Sequence, residues 1–374
     1  MTTDAKPESK SPALSGRIAS IDFFRGLTMF LLIGESTRLY HHLNQIDNSF
    51  VHFFAQQLEH HEWHGLHFWD LIQPFFMFIV GVAIPFAVAN RKKKGDSDST
   101  ILKHAVKRSL LLLLLGWTLY CAGKDQIGFR FQNVLAQLSV TYLVAFLIQR
   151  KSFSFQLIFS LAVLLITDLA YRFFPLEGFN QPWVAYHNLG AWANIQIEGI
   201  PKTSIWATIN AIPTIAHTVW GVLCGKLLMS DKPVAEKFKL LIIAGVAGLL
   251  IGFGLDLVGI TPIIKKIATS SFVFASGGWA ILALCFSYWL IDVKGNFSKG
   301  AQPFIIVGMN CIFIYLLFEV GGADIVSDIF KPFINTLFSW TGELMTKILI
   351  SLSVWASLWY VCYWMYKNKI FIKI

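Results

Sequence analysis

Apolar residues along this chain gather into ten blocks of about 20 residues, parted by short charged or turn-rich stretches. The blocks lie near 18–36, 67–89, 105–122, 131–149, 153–172, 205–229, 239–258, 270–292, 302–320 and 344–366. Runs such as Ser109–Trp117 and Leu240–Leu255 are continuously apolar, not the alternating segments of a membrane barrel. At ~1.5 Å per residue, about 20 residues cross a hydrocarbon core of about 30 Å. Backbone groups in lipid must bond within their own segment, so each block predicts a helix. The expected fold class is therefore all-α, a polytopic transmembrane helical bundle of about ten spans. A further apolar stretch, 321–341, is broken by Asp324, Asp328, Lys331 and Pro332, and predicts an interfacial helix in preference to an eleventh span.

Composition supports lipid as the solvent. Hydrophobic residues make up 55% and charged residues only 14%, well below the charge of a soluble domain. The net charge of +9 would suit a nucleic-acid binder if it were clustered on one face, but its distribution follows the blocks. With the N-terminus in the cytoplasm, 21 of the 31 Lys and Arg fall on cytoplasmic segments, nine fall outside, and Arg25 lies within the first block. That asymmetry predicts cytoplasmic termini. Residues 1–16 are polar and predict a disordered cytoplasmic tail, with 17–374 as one membrane domain. The first apolar block carries Asp22 and Arg25, so no cleavable signal is expected there. The five cysteines scatter through the blocks and read as packing residues.

Charged groups inside a bilayer cost a few kcal/mol and read as functional by default. Asp22 and Arg25, three apart, share a helical face, as an ion pair or as an anion site. Glu35, Asp70 and Glu319 are further candidates, whereas Asp168 and Asp256 stand alone near span ends and read as structural. The densest constellation is Glu59-His60-His61-Glu62-Trp63-His64-Gly65-Leu66-His67-Phe68-Trp69-Asp70. On a helix, His60, His64 and His67 would share one face. Imidazoles at such spacing suit zinc, yet HExxH is absent and no metal is expected. Acid–base chemistry is the stronger reading, since neutral imidazole accepts protons near pH 7. The same membrane carboxylates, histidines and aromatic loops would also serve a proton- or metabolite-coupled transporter.

Two sequence blocks resemble the transmembrane heparan-α-glucosaminide N-acetyltransferase family. The first is Ser20-Ile21-Asp22-Phe23-Phe24-Arg25-Gly26-Leu27-Thr28. The second runs His60-x-x-Trp63-x-Gly65, then Asp70-x-x-x-Pro74-Phe75-Phe76 to Gly81. Weaker likeness continues through Val134-Leu135, Thr208-Ile209-Asn210, Lys265-Lys266 and Gly308-Met309-Asn310. The resemblance implies an N-acetyltransferase of the bacterial cytoplasmic membrane. It would carry an acetyl group from acetyl-CoA to a glucosamine-type amino sugar on the outer face, with no resident metal. It implies His60 as catalytic base or acetyl carrier, with Asp70 orienting the imidazole. Asp22, Arg25, Glu35, His61, Trp63, His64, Asn210 and Asn310 are the substrate-binding candidates, the two Asn as donors to the thioester oxyanion. Arg91–Lys94, Lys107 and Arg108 would meet the phosphates of CoA. Partners implied are the amino-sugar or glycan acceptor and the bilayer, without nucleic acid; a homodimer stays open. Two departures from the family pattern, Glu35-Ser36 and Ala136-Gln137, fall where an acceptor would bind.

Overall fold

A computed structural model describes residues 18–122, 129–199, 204–295, 297–372 and 374. The predicted tail 1–16 lies outside them. Among the described residues the chain is all-helical. The first five helices are α1 (Ala19–Ser36), α2 (Leu39–Leu43), α3 (Ser49–Gln57), α4 (Ile72–Lys93) and α5 (Asp98–Cys121). There follow α6 (Val134–Ile148), α7 (Phe153–Arg172), α8 (Leu189–Glu198), α9 (Ile215–Met229) and α10 (Val234–Leu257). The last five are α11 (Ser270–Tyr288), α12 (Ser298–Gly308), α13 (Cys311–Glu319), α14 (Gly322–Phe338) and α15 (Glu343–Lys367).

All ten apolar blocks carry helix. Among the described residues, six helical segments are long and apolar enough to cross a membrane, and a seventh forms if α12 and α13, bent by 60°, count as one. α14 leaves Ile325, Ile329, Phe333 and Leu337 exposed in one stripe at i, i+4, i+8 and i+12.

Lipid gives helices little hydrophobic reason to associate, so close backbone contact through small residues must do that work. Three pairs show it. A Cβ on Gly81 of α4 would strike the carbonyl oxygen of Thr218 on α9, and one on Gly221 would strike that of Phe78. α10 meets α11 where Gly252 faces Ala275 and Gly245 faces Gly278. α1 meets α12 where Gly26 lies on the carbonyl of Phe304 and Gly308 on that of Asp22. The last contact forms the floor of the Asp22–Arg25 pair, at 2.9 Å, while Arg25 Nε donates to the Gly308 carbonyl at 2.9 Å. Between α12 and α13 the buried Asn310 ties the chain back on itself. Its Nδ2 donates to the Ile370 carbonyl at 3.2 Å, and its Oδ1 accepts from the Ile372 N–H at 3.1 Å.

The two ends of the bundle differ in chemistry. At one end Asp98 joins Lys92, at 2.6 Å, to Arg150, at 2.5 Å, and Arg91 pairs with Asp96 at 3.0 Å. At the other end the 58–71 segment packs against the 204–211 and 261–269 turns. Cys224, Cys285, Cys311 and Cys362 are buried free thiols.

Val in place of Gly81 or Gly221 should force α4 and α9 apart, at or above ~1–3 kcal/mol. Gly254→Ala, facing open space, should be neutral or slightly stabilising. Thermal midpoints of the detergent-solubilised protein by size exclusion would compare them; equal midpoints would contradict this packing.

Candidate active site

The loop bearing the histidines is not a helix. Residues 58–67 run through turns and bends before a 3₁₀ turn at Phe68–Leu71, so the shared helical face expected for His60, His64 and His67 does not form. Gly65 sits at φ +142°, and a Cβ there would drive into the His61 ring. What organises the loop is Asp70, whose side chain is 2% exposed. Its Oδ2 accepts from the His67 N–H at 3.0 Å and the His61 N–H at 3.2 Å. Its Oδ1 lies 2.9 Å from His60 Nδ1. A carboxylate thus supplies what helical carbonyls would otherwise have given those N–H groups.

The same Oδ1 faces a cation, Lys265, to which the family likeness of Lys265-Lys266 attached no role. Lys265 Nζ lies 3.5 Å from Asp70 Oδ1 and 3.2 Å from His60 Nδ1, with only 7% of its side chain exposed. It is presented by the 3₁₀ turn Lys265–Ile267, which ends on Ala268 at φ +48°. That turn is clamped at the Lys266 carbonyl by the Ala207 N–H and by Asn210 Nδ2, each at 2.9 Å. The Trp206 ring completes the wall, edge-on to His60 at 5.5 Å and beneath the Lys265 ammonium at 5.5 Å.

His60, Lys265 and Trp206 line a cavity of about 380 Å³. Glu35 from α1, with Tyr315 and Glu319 from α13, lines it as well. Burial lowers the His60 imidazole below its usual range. The Asp70 hydrogen bond opposes that shift, and the positive charges of Lys265 and Lys266 add to it. Burial also lowers the Lys265 ammonium to about 8, against the pull of Asp70. With Asp70 ionised, His60 Nδ1–H donates to Oδ1, which leaves the Nε2 lone pair available to a reactant. The arrangement is an imidazole oriented by a carboxylate, which is able to act as a general base.

The remaining candidates divide. Glu35 joins the cavity. His61 packs on the His67 ring at 4.7 Å, behind Asp70. Trp63 donates from Nε1 to the Trp183 carbonyl at 2.8 Å, and His64 Nε2 meets Asp256 Oδ1 at 2.7 Å. Both fasten the loop to its neighbours. Asn210 supports the Lys265 turn, while Asn310 is committed to the 370–372 segment; neither lines the cavity with His60. Asp22 and Arg25 form the ion pair described above and also lie off that cavity. Asp168 and Asp256 are not alone: Asp168 binds Arg172 at 2.7 Å, and Asp256 accepts from the Ile263 N–H besides meeting His64. Among the described residues no three His, Cys, Asp or Glu groups are placed to share a metal ion.

A second cavity, of about 330 Å³, opens near the other end. Arg91, His104, Lys107 and Arg108 line it, and Arg108 lies 4.7 Å over the Tyr142 ring.

The catalytic-region profile of the heparan-alpha-glucosaminide N-acetyltransferase family matches residues 17–254. Heparan-alpha-glucosaminide N-acetyltransferase of Mus musculus is 24% identical, over 100% of this chain and 63% of its own length. The Homo sapiens protein of the same name is 24% identical, over 99% of this chain and 62% of its own. The chain thus spans under two thirds of the length of these relatives.

Asp70→Ala should leave the Lys265 ammonium buried without a counter-charge and free two loop N–H groups. The expected loss is ~3–5 kcal/mol, read as a lower thermal midpoint. Asp256→Ala, which breaks an exposed pairing to His64, should lose much less.

Proposed function

The chain belongs to the heparan-α-glucosaminide N-acetyltransferase catalytic family, and on that premise we propose that it is a multi-pass membrane acetyltransferase. In this reading it takes acetyl from acetyl-CoA and places it on the amino group of a glucosamine-type acceptor. The observation that carries this is the oriented pair of His60 and Asp70 at 2.9 Å on the wall of a cavity large enough for a reacting group. The chain crosses the membrane about ten times, with both termini cytoplasmic and His60 towards the outer face. The division of 21 basic residues from nine supports that orientation.

His60 Nε2 takes a proton from the acceptor amine as its nitrogen attacks the thioester carbonyl. The C–N bond forms, the C–S bond breaks, and the imidazolium returns the proton to the departing CoA thiolate. A covalent route, with acetyl carried first on Nε2, uses the same residues. Asp70 keeps Nδ1 protonated in either case and stabilises the imidazolium. Glu35 and Glu319 give the cavity a second, acidic wall suited to an arriving ammonium. The basic cavity of Arg91, Lys107 and Arg108 suits the phosphates of CoA at the cytoplasmic end.

Acceptor-dependent release of free CoA from acetyl-CoA by the purified protein tests the reaction itself. Uptake of amino sugar into proteoliposomes without CoA release would point to a transporter instead. His60→Ala should lower turnover by at least ~10²-fold; His61→Ala and His64→Ala should be far milder, and a chelator should leave the wild type unchanged. Near-normal transfer by His60→Ala would overturn the assignment. For the donor, Lys107→Gln with Arg108→Gln should weaken acetyl-CoA binding and flatten its salt dependence, with a smaller effect on maximal rate. Unchanged affinity in the inserted variant would exclude that cavity as the phosphate site.

A further inference from the structure

Lys265 is a buried cation for which the reaction above has no use. It comes from a turn about two hundred positions along the chain from the loop it touches. Simple charge pairing with Asp70 would require no contact with His60, yet its Nζ lies closer to His60 Nδ1, at 3.2 Å, than to Asp70 Oδ1, at 3.5 Å. We propose that Lys265 is a positioning residue of the reaction site, a fixed cation that holds Asp70 against His60 and keeps His60 in the neutral form whose Nε2 faces the cavity. The proposal rests on the acetyl-transfer reading for its purpose, though not for its geometry.

Oδ2 of Asp70 is occupied by two backbone N–H groups, so Oδ1 is the oxygen left to bind side chains. His60 Nδ1 carries a single in-plane direction for a hydrogen bond. If it pointed a lone pair at both neighbours, it would repel the ionised Oδ1 at 2.9 Å. With Nδ1 protonated, the same oxygen accepts from the imidazole and the ammonium together, and the only charges among the three groups are the negative one on Asp70 and the positive one on Lys265. A carboxylate alone beside a histidine stabilises the imidazolium and so makes the base easier to protonate. A cation pressed against that carboxylate cancels this pull while leaving the hydrogen bond that orients the ring.

Other titratable groups stand around His60. Lys266, from the same turn, has its Nζ 5.9 Å from the Trp206 ring centroid. Glu35 and Glu319 face the cavity from α1 and α13, with Tyr120 of α5 and Tyr315 of α13 between them. His61 and His67 lie behind Asp70, on the loop itself. Lys265 is the cation in direct contact. Its placement is enforced by the clamp of Ala207 and Asn210 on the next carbonyl, so the turn cannot swing the ammonium away without breaking two hydrogen bonds.

The test is the protonation of His60, read without reference to turnover. Carbethoxylation by diethyl pyrocarbonate occurs on neutral imidazole, and peptide mass spectrometry resolves His60 from its neighbours. Followed from about pH 5 to 8, the wild-type midpoint at His60 should fall below the ordinary ~6.5. Lys265→Met should raise it by ~1 pH unit or more, and Lys265→Arg, which restores the cation, should bring it back. The acid limb of kcat/KM for acetyl transfer should move with it. A wild-type midpoint at or above the ordinary value overturns the proposal, as does a folded Lys265→Met protein with an unchanged midpoint. Should Lys265→Met fail to fold, Lys265→Gln, which keeps a neutral donor to Asp70, takes its place in the same comparison. If the midpoints move as expected and no variant or wild type transfers acetyl, the acetyltransferase reading fails while the role of Lys265 towards His60 stands.

Discussion

A single buried carboxylate holds the reactive end of this bundle together. Asp70 gathers two backbone N–H groups, an imidazole and an ammonium, from the 60–67 loop and from the turn at 265. Burying a carboxylate without partners costs several kcal/mol, so the site depends on all these donors being present at once. That requirement fixes the loop path, the ring orientation of His60 and the contact between two distant segments. The cavity is a consequence of the same constraint, since its catalytic wall is the face that these contacts leave open.

Glycine contacts make such an arrangement possible at membrane depth. α4, which begins at the turn carrying Asp70, lies in backbone contact with α9 through Gly81 and Gly221. α9 in turn is preceded by the 208–211 turn, from which Asn210 reaches the Lys266 carbonyl. Packing through small residues therefore places the two halves of the site by their backbones, with little dependence on the rotamers of long side chains.

How much of this was legible in the sequence depends on distance along the chain. Apolar block length foretold helix in every one of ten places, because hydrocarbon thickness and internal hydrogen bonding act locally. The pairing of His60 with Asp70 was accessible through motif likeness. The expected helical face of His60, His64 and His67 failed because Gly65 takes a positive φ and Asp70 captures the N–H groups a helix would have used. The tie of Asn310 to the 370–372 segment was out of reach, because residue type says nothing of a chain segment returning there. Asp256 looked solitary because His64 lies far off in sequence, whereas the ion pair of Asp168 with Arg172 spans only four residues and was within reach of helical spacing. Lys265 entered only as part of a weak motif likeness with no role attached, because only the fold brings it to a histidine and a carboxylate.

The loop carrying His60 is fastened to the rest of the fold through Trp63, His64 and Gly65, and braced within itself where His67 meets the Glu59 carbonyl. A segment stapled so densely has already surrendered its conformational entropy during folding. Little reorganisation is then left for the moment when charge moves between reactant and ring. Such preorganisation is what lets a modest base act as though at high effective molarity. It also means that any flexing that admits a large ligand must come from the opposite wall, where α13 meets α12 across a 60° break.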